Sequence, residues 1–253
     1  MTSDQFFEPA AADERTDEVK AFFNQWHVYR TIMDHDYTGE VNAHKALRDL
    51  LIHDFPGGFS IIDLGCGDAG YMAQMLAGTP VSYYEGVDLS DVALDLARKN
   101  MEVVGCQCVF SNYDFVRNLQ ERESPVDVIW IGLSLHHLSS VQKEMFLAYC
   151  RSALTARGLL IIYEPMLEEG ETREEFLGRC EAEIDAHWTA LAPDEREAIC
   201  EHVISADFPE SVMTLREMGL RNGFARVESV WRNPTSLFQM IVFHASPVNP
   251  PGE

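Results

Sequence analysis

The sequence predicts an α/β protein built on a doubly wound, mostly parallel seven-stranded sheet that closes with a C-terminal antiparallel hairpin. From Phe59 to about residue 165, short runs rich in β-branched residues alternate with stretches of helical period. The first of these runs empties into glycines, as a buried parallel strand does when it turns into a helix. Two further strand-like runs, Ala225–Trp231 and Leu237–Ala245, are joined through Asn233-Pro234 with no helix between them, which makes them antiparallel neighbours.

Residues 1–15 are acidic and polar and are expected to be a flexible N-terminus, and the Pro-rich stretch 247–253 a flexible tail. Residues 16–246 form one expected domain, with an N-terminal helical cap over 16–58 and a helical insert over 166–210. In the cap, Val19, Phe22, Phe23, Trp26, Tyr29, Arg30 and Met33 recur at helical spacing and lay an aromatic stripe on the core. A second helix, Val41–Phe55, presents Leu47, Leu50 and Leu51 on one face and stops at Pro56-Gly57-Gly58. Then come strand Phe59–Leu64, helix Tyr71–Ala77, strand Val81–Leu89, helix Val92–Val104, strand Cys106–Phe110, a short helix Phe115–Glu121 and strand Val126–Gly132. A helix over 141–154 and strand Leu159–Pro165 complete five β units, whose crossovers make the sheet parallel. Phe176, Cys180, Ile184 and Trp188 fall every fourth residue along the insert's first helix, and Pro193 opens its second. Thr214 and Glu217 are spaced as a capping box for the last helix, which Gly223 ends.

A chain of 253 residues with 46% hydrophobic and 24% charged residues has enough apolar surface for a real core, which excludes wholesale disorder and collagen-like fibres. Its 41 acidic and 19 basic residues give a formal charge of -22, which disfavours nucleic acid and anionic membrane surfaces as partners. No 18-residue apolar stretch exists, so no transmembrane helix is expected. Six scattered cysteines and an N-terminus without an apolar signal core point to reduced thiols and a cytoplasmic location. Cys106 and Cys108 alternate on one strand with no second Cys or His pair at tetrahedral-site spacing, so they read as buried thiols and no metal is expected.

The most informative segment is IIDLGCGDAG, residues 61–70, in which Gly65, Gly67 and Gly70 follow a strand and precede a helix. Glycine there lets backbone approach a ligand closely. Asp88 closes the next strand 25 residues after Asp63, where a carboxylate can chelate a ribose diol. Asp63, immediately before the turn, would repel a dinucleotide's pyrophosphate and suits a ligand bearing an ammonium group. With Asn112-Tyr113-Asp114-Phe115 after the third strand and the closing hairpin, the sequence resembles the class I S-adenosylmethionine-dependent methyltransferases of the small-molecule type, over residues 59–165 by motif and 211–245 by topology. The resemblance implies a Rossmann-like fold, S-adenosylmethionine as cofactor with S-adenosylhomocysteine as product, and in-line methyl transfer to a small-molecule acceptor. It places Gly65, Cys66 and Gly67 around the methionine part, Asp88 on the ribose, Leu89 against adenine, and Asp114 on the adenine amino group beside the Phe115 backbone. Asn112, Gly132 and Leu133 join the same implied cofactor set. Asp68 departs from the small hydroxyl residue often found after the second glycine.

The fourth strand runs into GLSLHHL, which resembles a segment of many small-molecule members. His136 and His137 lie beyond the carboxyl end of the sheet, where one is a candidate general base or acceptor-orienting group and helix capping is the alternative role. Glu164 occupies the corresponding place after the fifth strand, either to bind an amine or hydroxyl of the acceptor or to anchor the insert. Tyr37, between the first two helices, is a candidate to close over the sulfonium, with a plain hydrophobic contact as its other reading. The acidic charge permits a cationic acceptor. RNA or protein methylation, and cofactor binding without transfer, are the rival functions; the acceptor atom and the oligomeric state are left open.

Overall fold

The computed structural model describes residues 26–247, so the expectations for residues 1–25 and 248–253 lie outside the described residues. Two helices, α1 (Trp26–Asp34) and α2 (Glu40–Asp54), lead into β1 (Phe59–Leu64). There follow α3 (Gly70–Leu76), β2 (Val81–Asp88), α4 (Asp91–Asn100), β3 (Gln107–Asn112), α5 (Phe115–Gln120), β4 (Val126–Gly132), α6 (Ser140–Ala153) and β5 (Leu154–Leu167). The insert holds α7 (Arg173–His187) and α8 (Pro193–Ala206); β6 (Glu210–Ser211), α9 (Val212–Arg221), β7 (Arg226–Arg232) and β8 (Phe238–His244) complete the chain.

The main path of the sheet is β3-β2-β1-β4-β5-β8-β7, with the two-residue β6 pairing beside β5. All pairs from β3 to β5 are parallel, and β8 is antiparallel to both β5 and β7. Strand order reverses at β1, between β2 and β4, and there the carboxyl ends of neighbouring strands open a crevice for a ligand.

Alternation along each strand divides the core into two layers. Ile62, Leu64, Ile129, Ile131, Leu160 and Ile162 point to one face and pack with Phe146 and Leu147 of α6 and Leu215 and Met218 of α9. Ile61, Val128, Trp130, Ile161 and Tyr163 point to the other, against Leu47 and Leu51 of α2 and Met72 and Leu76 of α3. A third cluster joins distant parts of the chain: Val28 and Ile32 of α1 pack on Ile184, Trp188, Leu191 and Ile199 of the insert. The cap and the insert thus make one cover. Among the described residues no helix is long and apolar enough to cross a membrane.

The predicted capping box at Thr214 and Glu217 does not form. Ser211 is the cap instead, its Oγ accepting the Thr214 N–H at 3.1 Å, because pairing of Ser211 with Leu167 ends the preceding strand three residues earlier. Gly223 follows the helix with φ 85°, as its expected role requires.

Gly219 of α9 is where helix and sheet come closest: a Cβ there would lie 2.6 Å from Phe243 Cδ1 and 3.0 Å from Val227 Cγ2. Gly219→Val is expected to destabilise the protein by about 1–3 kcal/mol through overpacking, measured as a lowered urea midpoint with unchanged slope.

Candidate active site

A continuous cavity of about 1030 Å³ opens over the carboxyl ends of β1, β2 and β4 and runs under the cap and the insert. At one end lies the glycine turn. Gly65 and Gly67 have φ of 70° and 52°, and a Cβ on Gly65 would collide with Ser134 Oγ. The Gly65 and Cys66 N–H groups donate to the Val87 carbonyl at 2.8 and 3.1 Å, which folds the turn back over β2. The Asp88 carboxylate accepts from the Gly67 N–H and the Ser90 N–H, each at 2.8 Å, so one side chain sets both the turn and its own position at the rim of the cavity. Asp68 accepts from the Gly70 N–H at 3.0 Å and starts α3, which gives the residue that departs from the family pattern a structural job.

This end is acidic. Asp63 is buried, accepts from the Tyr84 hydroxyl at 2.8 Å, and is pushed up to about 7 by desolvation, against that hydrogen bond and with Asp88 adding to the rise. Glu40, at the start of α2, is pushed up to about 8, chiefly by burial. Burial also raises the Cys66 thiol and the Tyr29 hydroxyl. Glu40, Asp63, Asp68, Asp88, Asp114, Glu183 and Asp207 all line the cavity, whereas among the described residues Arg117 is the one Lys or Arg that does. Among the described residues no Lys or Arg forms an ion pair with Asp63 or Glu40, and buried carboxylates so placed fit a ligand that brings positive charge. A sulfonium and an ammonium on one molecule match that demand, and the glycine cradle leaves room for its backbone.

Of the residues expected to bind cofactor, Asp63, Gly65, Cys66, Gly67, Asp88, Leu89, Asp114, Phe115, Gly132 and Leu133 line this cavity. Asp114 also caps α5, accepting the Arg117 N–H at 2.8 Å. Asn112 does not line the cavity: it is exposed, and its amide donates to the Leu89 carbonyl and to Asp91 Oδ1 at 3.1 and 2.6 Å, bracing the loop after β2 from outside.

At the other end, β4 leaves the sheet through Leu133, with φ 53°, into a 3₁₀ turn at Leu135–His137. Glu164 stands behind this turn. Its Oε1 accepts the N–H groups of Ser134 and Leu135 at 2.9 and 2.7 Å, and its Oε2 takes the His136 N–H at 3.3 Å and His136 Nδ1 at 2.5 Å. Glu164 does not line the cavity; it anchors the exit loop of β4, with four donors around its two oxygens. Tyr37 also lies outside the cavity, in the packing contact that is its other reading. Its ring stacks on Trp188 with centroids 5.1 Å apart, its hydroxyl accepts the Ala190 N–H at 2.8 Å, and it fastens the insert without lining the cavity.

His136 and His137 do line the cavity, and the insert brings His202 and Asp207 to them. Asp207 Oδ1 lies 3.6 Å from His136 Nε2, 3.5 Å from His137 Nδ1 and 3.9 Å from His202 Nε2. Burial pulls His136 down, but Asp207 and Glu164 outweigh it and the net shift is upward; burial, with His136 nearby, holds His137 well below the ordinary range and His202 at about 4. Sequence reading missed Tyr29, Glu40, His202 and Asp207. None belongs to a local motif, and the only hint was that Tyr29 fell in the aromatic stripe read as core.

A family profile described as a methyltransferase domain matches residues 61–158. The chain is 26% identical over 244 residues to carboxy-S-adenosyl-L-methionine synthase of Campylobacter curvus, covering 92% of this chain and 95% of that one. It is 30% identical over 140 residues to phenazine O-methyltransferase PhzM of Lysobacter antibioticus, covering 55% of this chain and 39% of that relative, well under half of its length. Among solved structures, magnesium protoporphyrin IX methyltransferase from Synechocystis PCC 6803 with bound SAH shares the fold, with a TM-score of 0.64 at 16% identity over 92% of this chain and 100% of that one.

Two substitutions test the cofactor end by calorimetry with S-adenosylhomocysteine. Gly65→Val is expected to abolish binding with circular dichroism retained, since its side chain meets Ser134 and its backbone angle favours glycine. Asp88→Ala removes a charge-assisted acceptor worth about 1.5–3 kcal/mol and is expected to weaken binding about tenfold or more.

Proposed function

We propose, for a chain that is a class I S-adenosylmethionine-dependent methyltransferase, transfer of the methyl group to a small acceptor that is largely apolar and either neutral or cationic. The observation that carries this reading is the composition of this cavity: an acidic glycine cradle at one end, an apolar chamber at the other, and a histidine cluster beside it. Its volume stands at the upper end of the range of about 300–1,000 Å³ for small-molecule sites, enough for a cofactor and a second small molecule.

S-adenosylmethionine supplies an electrophilic methyl group with its leaving group built in. The protein's task is alignment and exclusion of water. Asp88 accepts from the ribose hydroxyls; Asp63 and Glu40 answer the positive charge of the methionine part; Leu89, Asp114 and Phe115 bracket the adenine. Met33 of α1 and Phe176, Ile184, Trp188 and Ile199 of the insert wall the acceptor chamber with apolar surface. Among ionisable groups on that wall, carboxylates outnumber cations, which turns away anionic acceptors. Orientation of the nucleophilic atom falls to the His136–His137–Asp207 cluster. The proposal places the enzyme in the cytoplasm, where its free cysteines stay reduced.

A metabolite extract incubated with methyl-labelled cofactor is expected to yield label in the small-molecule fraction with equimolar S-adenosylhomocysteine. Label confined to RNA or protein would overturn the small-acceptor assignment, and no label in any fraction would leave a binding protein.

Cofactor affinity is also expected to depend on pH. In the free protein Asp63 holds a proton below about 7, and a bound cation favours its ionised form. Binding therefore tightens as pH rises from 5.5 to 7, with a limit of about tenfold per pH unit for one group. Asp63→Asn is expected to weaken binding at pH 7.5 and flatten that rise, leaving only the share of Glu40. Free-protein stability runs the opposite way: the folded state keeps a proton that the unfolded chain releases above about 4, so stability contributed by this site is lost as pH rises through about 7.

A further inference from the structure

We propose that His136 Nε2, His137 Nδ1 and Asp207 Oδ1 form a binding site for a divalent transition-metal ion at the acceptor end of the cavity, with an open coordination position facing the acceptor chamber. One ligand atom from each of the three residues lies within 4.8 Å of the other two, although 70 residues separate the histidines from the aspartate.

Their spacing is that of ligands rather than of hydrogen-bond partners. Asp207 Oδ1 is 3.6 Å from His136 Nε2 and 3.5 Å from His137 Nδ1. A protonated histidine paired with that carboxylate would close to about 2.7–2.9 Å. Two tetrahedral ligands, each about 2.0–2.1 Å from a shared zinc ion, stand about 3.3 Å apart. Asp207 Oδ1 and His137 Nδ1 are buried and have no hydrogen-bond partner among the described residues, and the Asp207 residue is 5% exposed. Two lone-pair atoms so placed cost free energy unless something with positive charge lies between them.

The surroundings also fix which ring nitrogens are available. Glu164 can only accept, so it takes the proton of His136 Nδ1, and Nε2 is the ring nitrogen that faces Asp207 and is open to a metal ion in the neutral ring. A carboxylate behind a ligating histidine is the usual second layer of a metal site. His137 Nδ1, buried and without a hydrogen-bond partner among the described residues, is the ring nitrogen that faces Asp207 Oδ1. His202 borders the cluster, with Nε2 3.9 Å from the same Asp207 oxygen. Two imidazoles and one carboxylate favour a zinc-, cobalt- or iron-type ion over magnesium or calcium, which prefer oxygen ligands throughout. Two neutral imidazoles, one carboxylate and a divalent ion leave one net positive charge in an otherwise acidic cavity.

The metal's use in catalysis rests on the methyl-transfer reading; its binding does not. An ion held there would take a hydroxyl or thiol of the acceptor and lower its pKa. The X–H bond breaks and the proton leaves to solvent. The X lone pair then forms the new bond to the methyl carbon as the carbon–sulfur bond breaks, releasing the neutral thioether.

The full-length protein, treated with a chelator and dialysed, is titrated with Zn²⁺, and separately with Co²⁺ and Mg²⁺, while S-adenosylhomocysteine binding is measured on the same sample. The expected result is one Zn²⁺ per chain, competition by Co²⁺ with visible d–d absorption of a low-coordinate N/O site, and no competition from Mg²⁺. The near-isosteric variants His137→Gln and Asp207→Asn are expected to weaken Zn²⁺ binding about 100-fold or more, and Glu164→Gln about 10–100-fold as a supporting residue. Failure of the wild-type protein to bind Zn²⁺ stoichiometrically overturns the site, and needs no variant. So does binding that survives both ligand substitutions, or a thiolate-to-Co²⁺ charge-transfer band, which would put the ion on cysteine. Intact S-adenosylhomocysteine binding without Zn²⁺ binding removes the metal site alone; loss of both removes the reading of the cavity as well.

Discussion

One buried carboxylate fixes the relation between the two ends of the cavity. Glu164, 2% exposed at the end of β5, accepts three consecutive backbone N–H groups from the loop after β4 and a ring nitrogen of His136. Such a loop leaves its sheet with unpaired donors, and burying them without an acceptor costs about 1–3 kcal/mol each. The same contacts hold Ser134, whose Oγ occupies the space a side chain on Gly65 would need. The glycine turn therefore has its shape because the β4 exit loop is where it is, and that loop is where it is because Glu164 holds it.

Charge placement separates the site from its supports. Glu85 is buried beside β3 too, but Arg122 donates to it twice at 2.9 Å and Asn118 adds a third bond at 3.1 Å; despite the upward push of burial, these partners hold its carboxyl below the usual range. Among the described residues Asp63 and Glu40 receive neutral hydroxyl donors, from Tyr84 and Thr38, and burial carries both upward. Paired buried carboxylates brace a fold, whereas those left without a cation are ready for a ligand that supplies one.

The cover above the sheet comes from two segments about 150 residues apart. Val28 and Ile32 of α1 meet Ile184, Trp188 and Ile199 of the insert, and Tyr37 ties the same region through Trp188 and Ala190. The methyltransferase-domain match at residues 61–158 contains the cofactor turn but neither part of this cover. The apolar wall of the cavity thus comes from segments outside the methyltransferase-domain match, while the glycine turn lies within it.

The amino-acid sequence by itself determined the alternation of strands and helices, the glycine turn, and the carboxylates Asp63 and Asp88 at the ends of their strands. Each is a local matter: period 2 against period 3.6, a backbone angle that favours glycine, and the position of a residue at the last step of a strand. Side-chain partners were decided only in the tertiary structure. Asn112 sits beside the cofactor motif yet turns outward to Leu89 and Asp91; Thr214 and Glu217 have capping spacing, yet Ser211 begins the helix. Glu164 and Tyr37 could each have met a ligand, but the packing of the β4 loop and of the insert gave them other partners first. His137 and Asp207 share no motif and come together because the insert folds back onto the end of β4. Spacing along a chain fixes which way a residue leaves its own backbone, and long-range packing fixes what it then meets.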